Sequence, residues 1–110
     1  MKAETRKHPA SRSHDEAVID MLRADPEFAA EYLKAALEEA DVPGGRGALL
    51  MALRHVAEAH GMTKLAKSAG VKREALYRAL SPKGNPTLKT LSAVLDTVGL
   101  KLMVDRKKAA

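Results

Sequence analysis

Apolar residues recur along this chain at the three- and four-residue spacing that places them on one face of an α-helix. The clearest stripe contains Leu88, Leu91, Val94, Leu95 and Val98. Glycine and proline divide the pattern into helices predicted at about residues 13–24, 26–40, 46–60, 63–69, 72–80 and 88–98. Residues 100–104 are apolar with one lysine and predict a short strand or an extended tail. The pattern therefore predicts an all-α domain of five or six helices.

Residues that cap or break helices mark most of these boundaries. Ser13 and Glu16 have the spacing of a capping box, which predicts that the first helix begins at Ser13. Asp25, followed by proline, predicts the end of that helix and the capped start of the next. Gly61 is expected to end the third helix, and Thr63 to cap the fourth. These signals predict short helices joined by tight turns.

The composition favours packed helices over a sheet. Phe28, Tyr32 and Tyr77 are the only aromatic residues and β-branched residues are few, so the core must consist mainly of Leu, Val, Ala and Met. The absence of cysteine excludes disulfides, thiolate metal sites and a cysteine nucleophile. No apolar run approaches the roughly 18 residues that span a bilayer, so a cytoplasmic protein is expected.

The net charge of +5 is distributed unevenly along the chain. Residues 1–12 carry +3; residues 13–45 contain nine acidic and two basic residues, for −7; residues 46–110 contain thirteen basic and four acidic residues, for +9. A strongly basic half attracts polyanions, of which nucleic acid is the first candidate. Phosphate repels the acidic segment, so we expect that segment to face away from nucleic acid and to have a second role.

Two short helices separated by Gly70 meet the demands of a helix-turn-helix. Ala66 is small where the second helix must cross closely, and Gly70 follows four positions later for the turn. Val71 is expected to anchor the turn, while Leu76 points inward from the second helix and Leu65 completes the small core. The alternative is an ordinary helical hairpin, but several requirements met at fixed offsets favour the helix-turn-helix.

The outward face of the second short helix carries the candidate chemistry. At about 100° per residue, the inward position of Leu76 leaves the cationic and tyrosine side chains outside. The candidate base contacts are Lys72, Arg73, Tyr77 and Arg78. The candidate phosphate contacts are Thr63, Lys64, Lys67 and Lys83. Glu74 either accepts a hydrogen bond from a cytosine or pairs with Arg78 four residues later, and we favour the pair.

A family resemblance rests on the sequence GVKREALYRALS at residues 70–81 and GNPTL at residues 84–88. Both resemble the antitoxins known as addiction module antidote proteins, which belong to the Xre/Cro/phage-repressor class of helix-turn-helix proteins. Residues 15–39, ending in AAEYLKAALEE, resemble the N-terminal portion of that family, so the match covers about residues 15–104. It implies a lambda-repressor-like fold. Lys72 departs from the family pattern, which more often has a serine able to cap the helix.

The resemblance also implies a function. Such proteins bind and neutralise a small ribonuclease-like toxin of the RelE/ParE/HigB type, and they repress their own operon as dimers. The charge of −7 fits independently, because toxins that act on RNA are usually basic. Phe28, Glu31, Tyr32 and Glu38 are the candidate toxin contacts. The alternative for this segment is a solvated pair of acidic helices packed on the core.

Together these features divide the chain into four parts. Residues 1–12 predict a flexible basic arm, either a disordered tail or an arm for the minor groove, and residues 13–42 an acidic helical extension. Residues 46–104 predict the DNA-binding domain, and residues 105–110 a basic tail. We expect a homodimer that binds double-stranded operator DNA. One short helix reads too few bases for useful selectivity, and a dimer reads two half-sites about 34 Å apart. Residues 100–104 are either its interface or pack back on their own domain.

The remaining motifs carry no chemistry. The glycines of residues 44–47 follow no strand and precede no Gly-Lys-Ser/Thr, so they predict a linker and not a phosphate loop. His55 and His60 lack ligand partners at metal spacing and are expected at the surface or its edge. No catalytic residue, metal site or cofactor is predicted, and an enzyme is not expected. A stand-alone Xre-type regulator without a toxin, or a helical protein–protein adaptor, stays open beside the antitoxin.

Overall fold

Six α-helices make up the part of the chain that the computed structural model describes, residues 10–108, with side chains from residue 14 onward. They are α1 (Ala10–Ala24), α2 (Pro26–Glu38), α3 (Gly45–His60), α4 (Met62–Ala69), α5 (Arg73–Ala79) and α6 (Leu88–Asp96). The predicted all-α class is confirmed, and the architecture is consistent with a helix-turn-helix domain. The predicted basic arm lies mainly outside the described residues.

Two of the helix boundaries form as predicted. Asp25 is the N-cap of α2, its carboxylate accepts a hydrogen bond from the Phe28 N–H at 3.1 Å, and Pro26 occupies the first turn. Gly61 ends α3 with a φ of +117°, a conformation that L side chains rarely adopt. Local chemistry therefore sets both of these turns.

The starts of α1 and α4 differ from the prediction. α1 begins at Ala10, three residues before Ser13, so the predicted capping box does not begin this helix. Alanine and arginine are strong helix formers and extend the helix upstream. α4 begins at Met62, directly after Gly61, and no side chain caps it, because a single glycine turns the chain and leaves Thr63 inside the first turn.

All six helices share one hydrophobic core. Its largest fully buried apolar side chains come from five of the helices and the residue after α5: Leu33, Leu53, Val56, Leu65, Leu76, Leu80, Val94 and Leu95. Helices α1 and α2 contribute Leu22, Ala29 and Leu33 to the same cluster as α3 to α6. The acidic helices are thus packed against the basic part of the chain and do not form a separate core.

The predicted apolar pattern is wrong at Leu88, and of the two alternatives for residues 100–104 the extended tail is the one that the structure has. Leu88, predicted in the stripe of α6, is 74% exposed because it is the first residue of the helix and extends past the end of the core. Residues 100–104 form no strand within the described chain, since no neighbouring strand is present to pair with them. Leu100 packs on the core, whereas Leu102, Met103 and Val104 are exposed. No helix in residues 10–108 is long and apolar enough to cross a membrane.

Candidate nucleic-acid interface

The turn between α4 and α5 is built from backbone hydrogen bonds. Gly70 has a φ of +70° and donates its N–H to the Lys67 carbonyl, while the Val71 N–H donates to the Ala66 carbonyl at 3.0 Å. These two bonds form the Schellman motif that ends many helices, and its left-handed residue is normally glycine. Lys72 then starts α5 without a side-chain cap, as expected of a lysine at this position.

Buried side chains fix the orientation of α5. Leu76 is fully buried, Leu65 and Ala66 on α4 are buried as well, and all three belong to the hydrophobic core. Val71 does not: it is 36% exposed, because the backbone hydrogen bonds already hold the turn. Leu76 therefore does most of the anchoring, and the opposite side of α5 is left in solvent.

The exposed side of α5 carries the residues that the sequence predicts. Lys72, Arg73, Glu74, Tyr77 and Arg78 are all exposed. The helix has only seven residues, so these side chains lie within two turns of one another. The structure thus brings the candidate base-contacting residues together on one surface.

Arg73 and Tyr77 form a pair on this surface. The guanidinium carbon of Arg73 lies 5.4 Å from the centre of the Tyr77 ring, and its Nη2 donates to the Tyr77 hydroxyl at 3.4 Å. Stacking of this kind orders an arginine and leaves its remaining N–H groups free to donate. The predicted pair of Glu74 with Arg78 is wrong, because no ion pair joins them among the side chains that the structure describes.

The candidate phosphate contacts are exposed on the two segments that flank α5 in the chain. Thr63, Lys64 and Lys67 are exposed on α4, and Lys83 is exposed in the loop after α5. That loop is held by hydrogen bonds from the Arg46 guanidinium to the Asn85 side chain at 3.2 Å and to the Gly84 carbonyl. The bonds fix the path of the loop that carries Lys83.

Arg46 and Lys89 are relevant residues that the sequence analysis missed. Lys89, on α6, extends over the α4–α5 turn: its Nζ would lie 2.9 Å from a Cβ placed on Gly70. It adds a positive charge beside the candidate phosphate contacts. Nothing in the local sequence marks either residue, because each reaches the site from a different helix.

The candidate toxin contacts divide into two kinds. Glu31 and Glu38 are exposed on α2. Phe28 and Tyr32 are half-buried against the core, with ring centres 6.0 Å apart. Exposed carboxylates on α1 and α2, and in the turn after them, extend the acidic surface: Asp20, Glu27, Glu39 and Asp41.

A buried histidine joins the three N-terminal helices. His55 on α3 is 2% exposed, so its prediction as a surface or edge residue is wrong. Its Nε2 lies 3.0 Å from the Asp15 carboxylate on α1, and its Nδ1 lies 2.8 Å from the Tyr32 hydroxyl on α2. A carboxylate only accepts, so Nε2 donates to Asp15, and in the tautomer that carries its proton on Nε2 the Nδ1 atom accepts from Tyr32. His55 therefore satisfies both of its polar atoms across helices that are far apart in sequence.

Burial raises the pKa of the Tyr32 hydroxyl, and the negative charge of Asp15 raises it further. Both effects disfavour a phenolate in this position. Tyr32 is consequently a structural donor to His55, which leaves the exposed carboxylates as the accessible part of the predicted toxin surface. Among the side chains that the structure describes, no three histidine, aspartate or glutamate residues cluster closely enough to hold a metal ion.

Comparison with known proteins places this chain in a family. The family model described as a probable addiction module antidote protein matches residues 14–106. An uncharacterized protein of Haemophilus influenzae is 37% identical over 79 residues, which are 72% of this chain and 77% of that protein. No solved structure matches the chain. An addiction module pairs a toxin with its antidote, so membership gives an antitoxin role and implies a toxin partner. This chain belongs to the family of probable addiction module antidote proteins.

Proposed function

We propose that this antitoxin also binds the DNA of its own operator and represses its own operon, and that its toxin is of the RelE/ParE/HigB type. The observation that carries the DNA-binding proposal is the exposed surface of α5. Leu76 is fully buried on one side, while Lys72, Arg73, Tyr77 and Arg78 are exposed on the other. A helix that is held on one side and cationic on the other is suited to the major groove.

The side chains of α5 have distinct expected roles. Arg73, ordered by Tyr77, is suited to donate two hydrogen bonds to the O6 and N7 atoms of a guanine. The Tyr77 ring offers an apolar edge to a neighbouring thymine methyl group. Arg78 and Lys72 complete the reading surface at the two ends of the helix. These contacts specify sequence, whereas the lysines of α4 and the loop set affinity and position.

The acidic helices are expected to bind the toxin. The segment of residues 13–45 carries −7, and its exposed carboxylates lie on α1 and α2 and in the turn after them. A toxin that acts on RNA presents a basic surface, and opposite charges speed and orient such an encounter. Glu31 and Glu38 are the expected contacts, with Phe28 and Tyr32 supporting α2 from below.

The proposal extends to assembly and location. We expect a homodimer, because two copies of α5 are needed to read half-sites about 34 Å apart. We expect a cytoplasmic protein whose function is binding and not catalysis.

Operator binding is tested by a gel-shift titration of the DNA upstream of the gene against an unrelated fragment of equal length. The operator should shift first, and the affinity should fall steeply with salt. Three lysines per subunit give about six phosphate contacts in a dimer, so the slope of log affinity against log salt should be near −5. Equal affinity for both fragments, or no shift at low salt, would refute specific DNA binding.

Toxin binding is tested by co-expression with the small basic protein encoded beside this gene, followed by a pull-down. The double variant Glu31→Lys, Glu38→Lys should lose the partner while keeping its affinity for DNA. Glu74→Lys, a charge reversal at an exposed position on α5 outside the acidic segment, is the control and should retain the partner. If the double variant retains the partner as well as the natural protein and the control do, the acidic surface of α2 is not the contact.

A further inference from the structure

The segment after α6 has exposed apolar side chains and a backbone without hydrogen-bond partners in the described chain. Leu102, Met103 and Val104 are 46%, 79% and 97% exposed. Within the described chain, no backbone hydrogen bond joins residues 101–104 to the rest of the protein. Exposed apolar side chains beside free N–H and C=O groups are the features of an edge that pairs with another chain.

We propose that this segment is the contact between two copies of the chain, which pair residues 101–105 as an antiparallel ribbon with Met103 at the two-fold axis. In this register Leu102 of each copy lies opposite Val104 of the other, and Lys101 lies opposite Asp105. The ribbon thus contains three apolar pairs, including Met103 with its own copy, and two pairs of opposite charge. Pairs of both kinds stabilise adjacent antiparallel strands.

The neighbouring registers are worse. A shift by one residue in one direction places Lys101 opposite Val104, and Asp105 opposite Leu100. A shift in the other direction places Lys101 opposite Arg106, and Leu102 opposite Asp105. Each shifted register places a charged side chain opposite an apolar side chain or opposite a charge of the same sign. The segment is therefore complementary to itself in one register, which is the property that a two-fold interface requires.

The two faces of such a ribbon also fit the structure. Side chains alternate along a strand, so Leu100, Leu102 and Val104 share one face, and Lys101, Met103 and Asp105 share the other. Leu100 already packs on the core, and its N–H donates to the Leu95 carbonyl at 3.0 Å. The apolar face of the ribbon is consequently continuous with the core.

An open groove adjoins the same face. It has a volume of about 650 Å³ and lies between α6 and the segment, and its walls combine Leu100 and Leu102 with polar and charged side chains such as Lys89 and Asp96. A two-stranded ribbon alone is marginally stable in water, so its apolar face must pack against the rest of the protein to be stable. The second copy supplies both the missing strand and the side chains that cover the groove.

This inference deepens the homodimer of the proposed function, but it can be tested without DNA or toxin. Sedimentation of the full chain should show a dimer. Asp105→Lys places lysine opposite Lys101 twice, and Lys101→Asp places aspartate opposite Asp105 twice. Each should weaken dimerisation roughly 3- to 30-fold, since two cross-strand pairs change. The double variant Lys101→Asp, Asp105→Lys restores both pairs and should recover the original affinity.

A disulfide provides a second test, because the natural chain has no cysteine. Met103→Cys should form a disulfide-linked dimer under mild oxidation, since the two sulfurs meet at the axis. Met21→Cys, at another exposed methionine, should not. A monomeric wild-type chain, a dimer in which Met103→Cys does not cross-link, or a double variant as weak as the single ones would overturn the proposal. If the chain is a dimer in which Met103→Cys does not cross-link, and it still shifts operator DNA, the proposed ribbon is wrong and the proposed DNA binding stands.

Discussion

Replacement of His55 by alanine should destabilise the fold far more than the same change at His60 on the same helix. His55 is 2% exposed and hydrogen bonds both Tyr32 and Asp15, whereas His60 is exposed in the last turn of α3. The substitution removes both hydrogen bonds and leaves a cavity where three helices meet. The two histidines therefore form a matched pair for testing the packing of α1 and α2 against α3.

The expected size of the effect follows from the contacts. A neutral hydrogen bond contributes about 0.5–1.5 kcal/mol to stability and one to a charged group about 1.5–3 kcal/mol. Asp15 is partly exposed, so its bond belongs at the lower end of that range. Together with the cavity, the His55→Ala variant should lose about 2–4 kcal/mol of unfolding free energy. His60→Ala should stay within about 0.5 kcal/mol of the natural protein.

The assay is urea unfolding followed by circular dichroism at neutral pH, with the midpoint and slope fitted for each variant. A double-mutant cycle with Tyr32→Phe then measures the coupling of Tyr32 to His55, which should be at least about 0.5 kcal/mol for residues in contact. Equal unfolding free energies for His55→Ala and His60→Ala would refute the hydrogen-bonded junction. So would full additivity in the cycle.

Three further predictions concern the folded chain. Gly70→Ala should lose about 1–2 kcal/mol of stability in a thermal melt because its φ is +70°, while Gly47→Ala, in an open position on α3, should be neutral or stabilising. Tyr32 has a raised pKa, so its contribution to stability is present below pH 10.0 and is lost as pH rises through the folded-state pKa; Tyr32→Phe should make the alkaline decline shallower. Leu88→Ser should change the unfolding free energy by less than about 0.5 kcal/mol, whereas Leu95→Ala should cost about 2–5 kcal/mol. If the unfolding free energy of Tyr32→Phe falls as steeply at alkaline pH as that of the natural protein, the second prediction is wrong. Equal losses for the two glycine variants, or for the two leucine variants, would contradict the other two.

Local chemistry made much of the fold predictable. Asp25 before a proline, Gly61 and Gly70 each meet a backbone requirement that few other residues satisfy, and each marks a helix end in the structure. Leu76 could be assigned to the core because the inward positions of a short helix repeat every three or four residues. The exposure of Arg73 and Tyr77 followed from the same periodicity.

The failures share a different cause: they concern residues whose environment is set by distant parts of the chain. His55 is buried because partners 23 and 40 residues away satisfy its nitrogen atoms, and no local pattern shows this. Arg46 reaches the loop after α5 across a separation of 39 residues. Val71 and Leu88 stand at helix ends, where an apolar side chain can extend past the edge of the core.

A capping motif in the sequence does not by itself fix the residue at which a helix begins. Ser13 has the correct spacing for a capping box, yet the helix continues three residues upstream, because a side chain that can cap is also tolerated inside a helix. In the same way, Gly61 is the N-cap of α4 and Thr63 lies inside its first turn. A predicted helix start is consequently less certain than a predicted glycine-ended stop.

The contact between α5 and DNA is tested most directly by comparing Arg73→Ala with Lys34→Ala in operator binding. Both changes remove one exposed positive charge, but Lys34 lies on the acidic helix α2. Arg73→Ala should cost about 1–3 kcal/mol of binding free energy, or roughly 5- to 150-fold in affinity, and should relax the preference for one base pair. Lys34→Ala should bind as tightly as the natural protein. Equal affinities for the two variants would show that the exposed surface of α5 does not contact the operator.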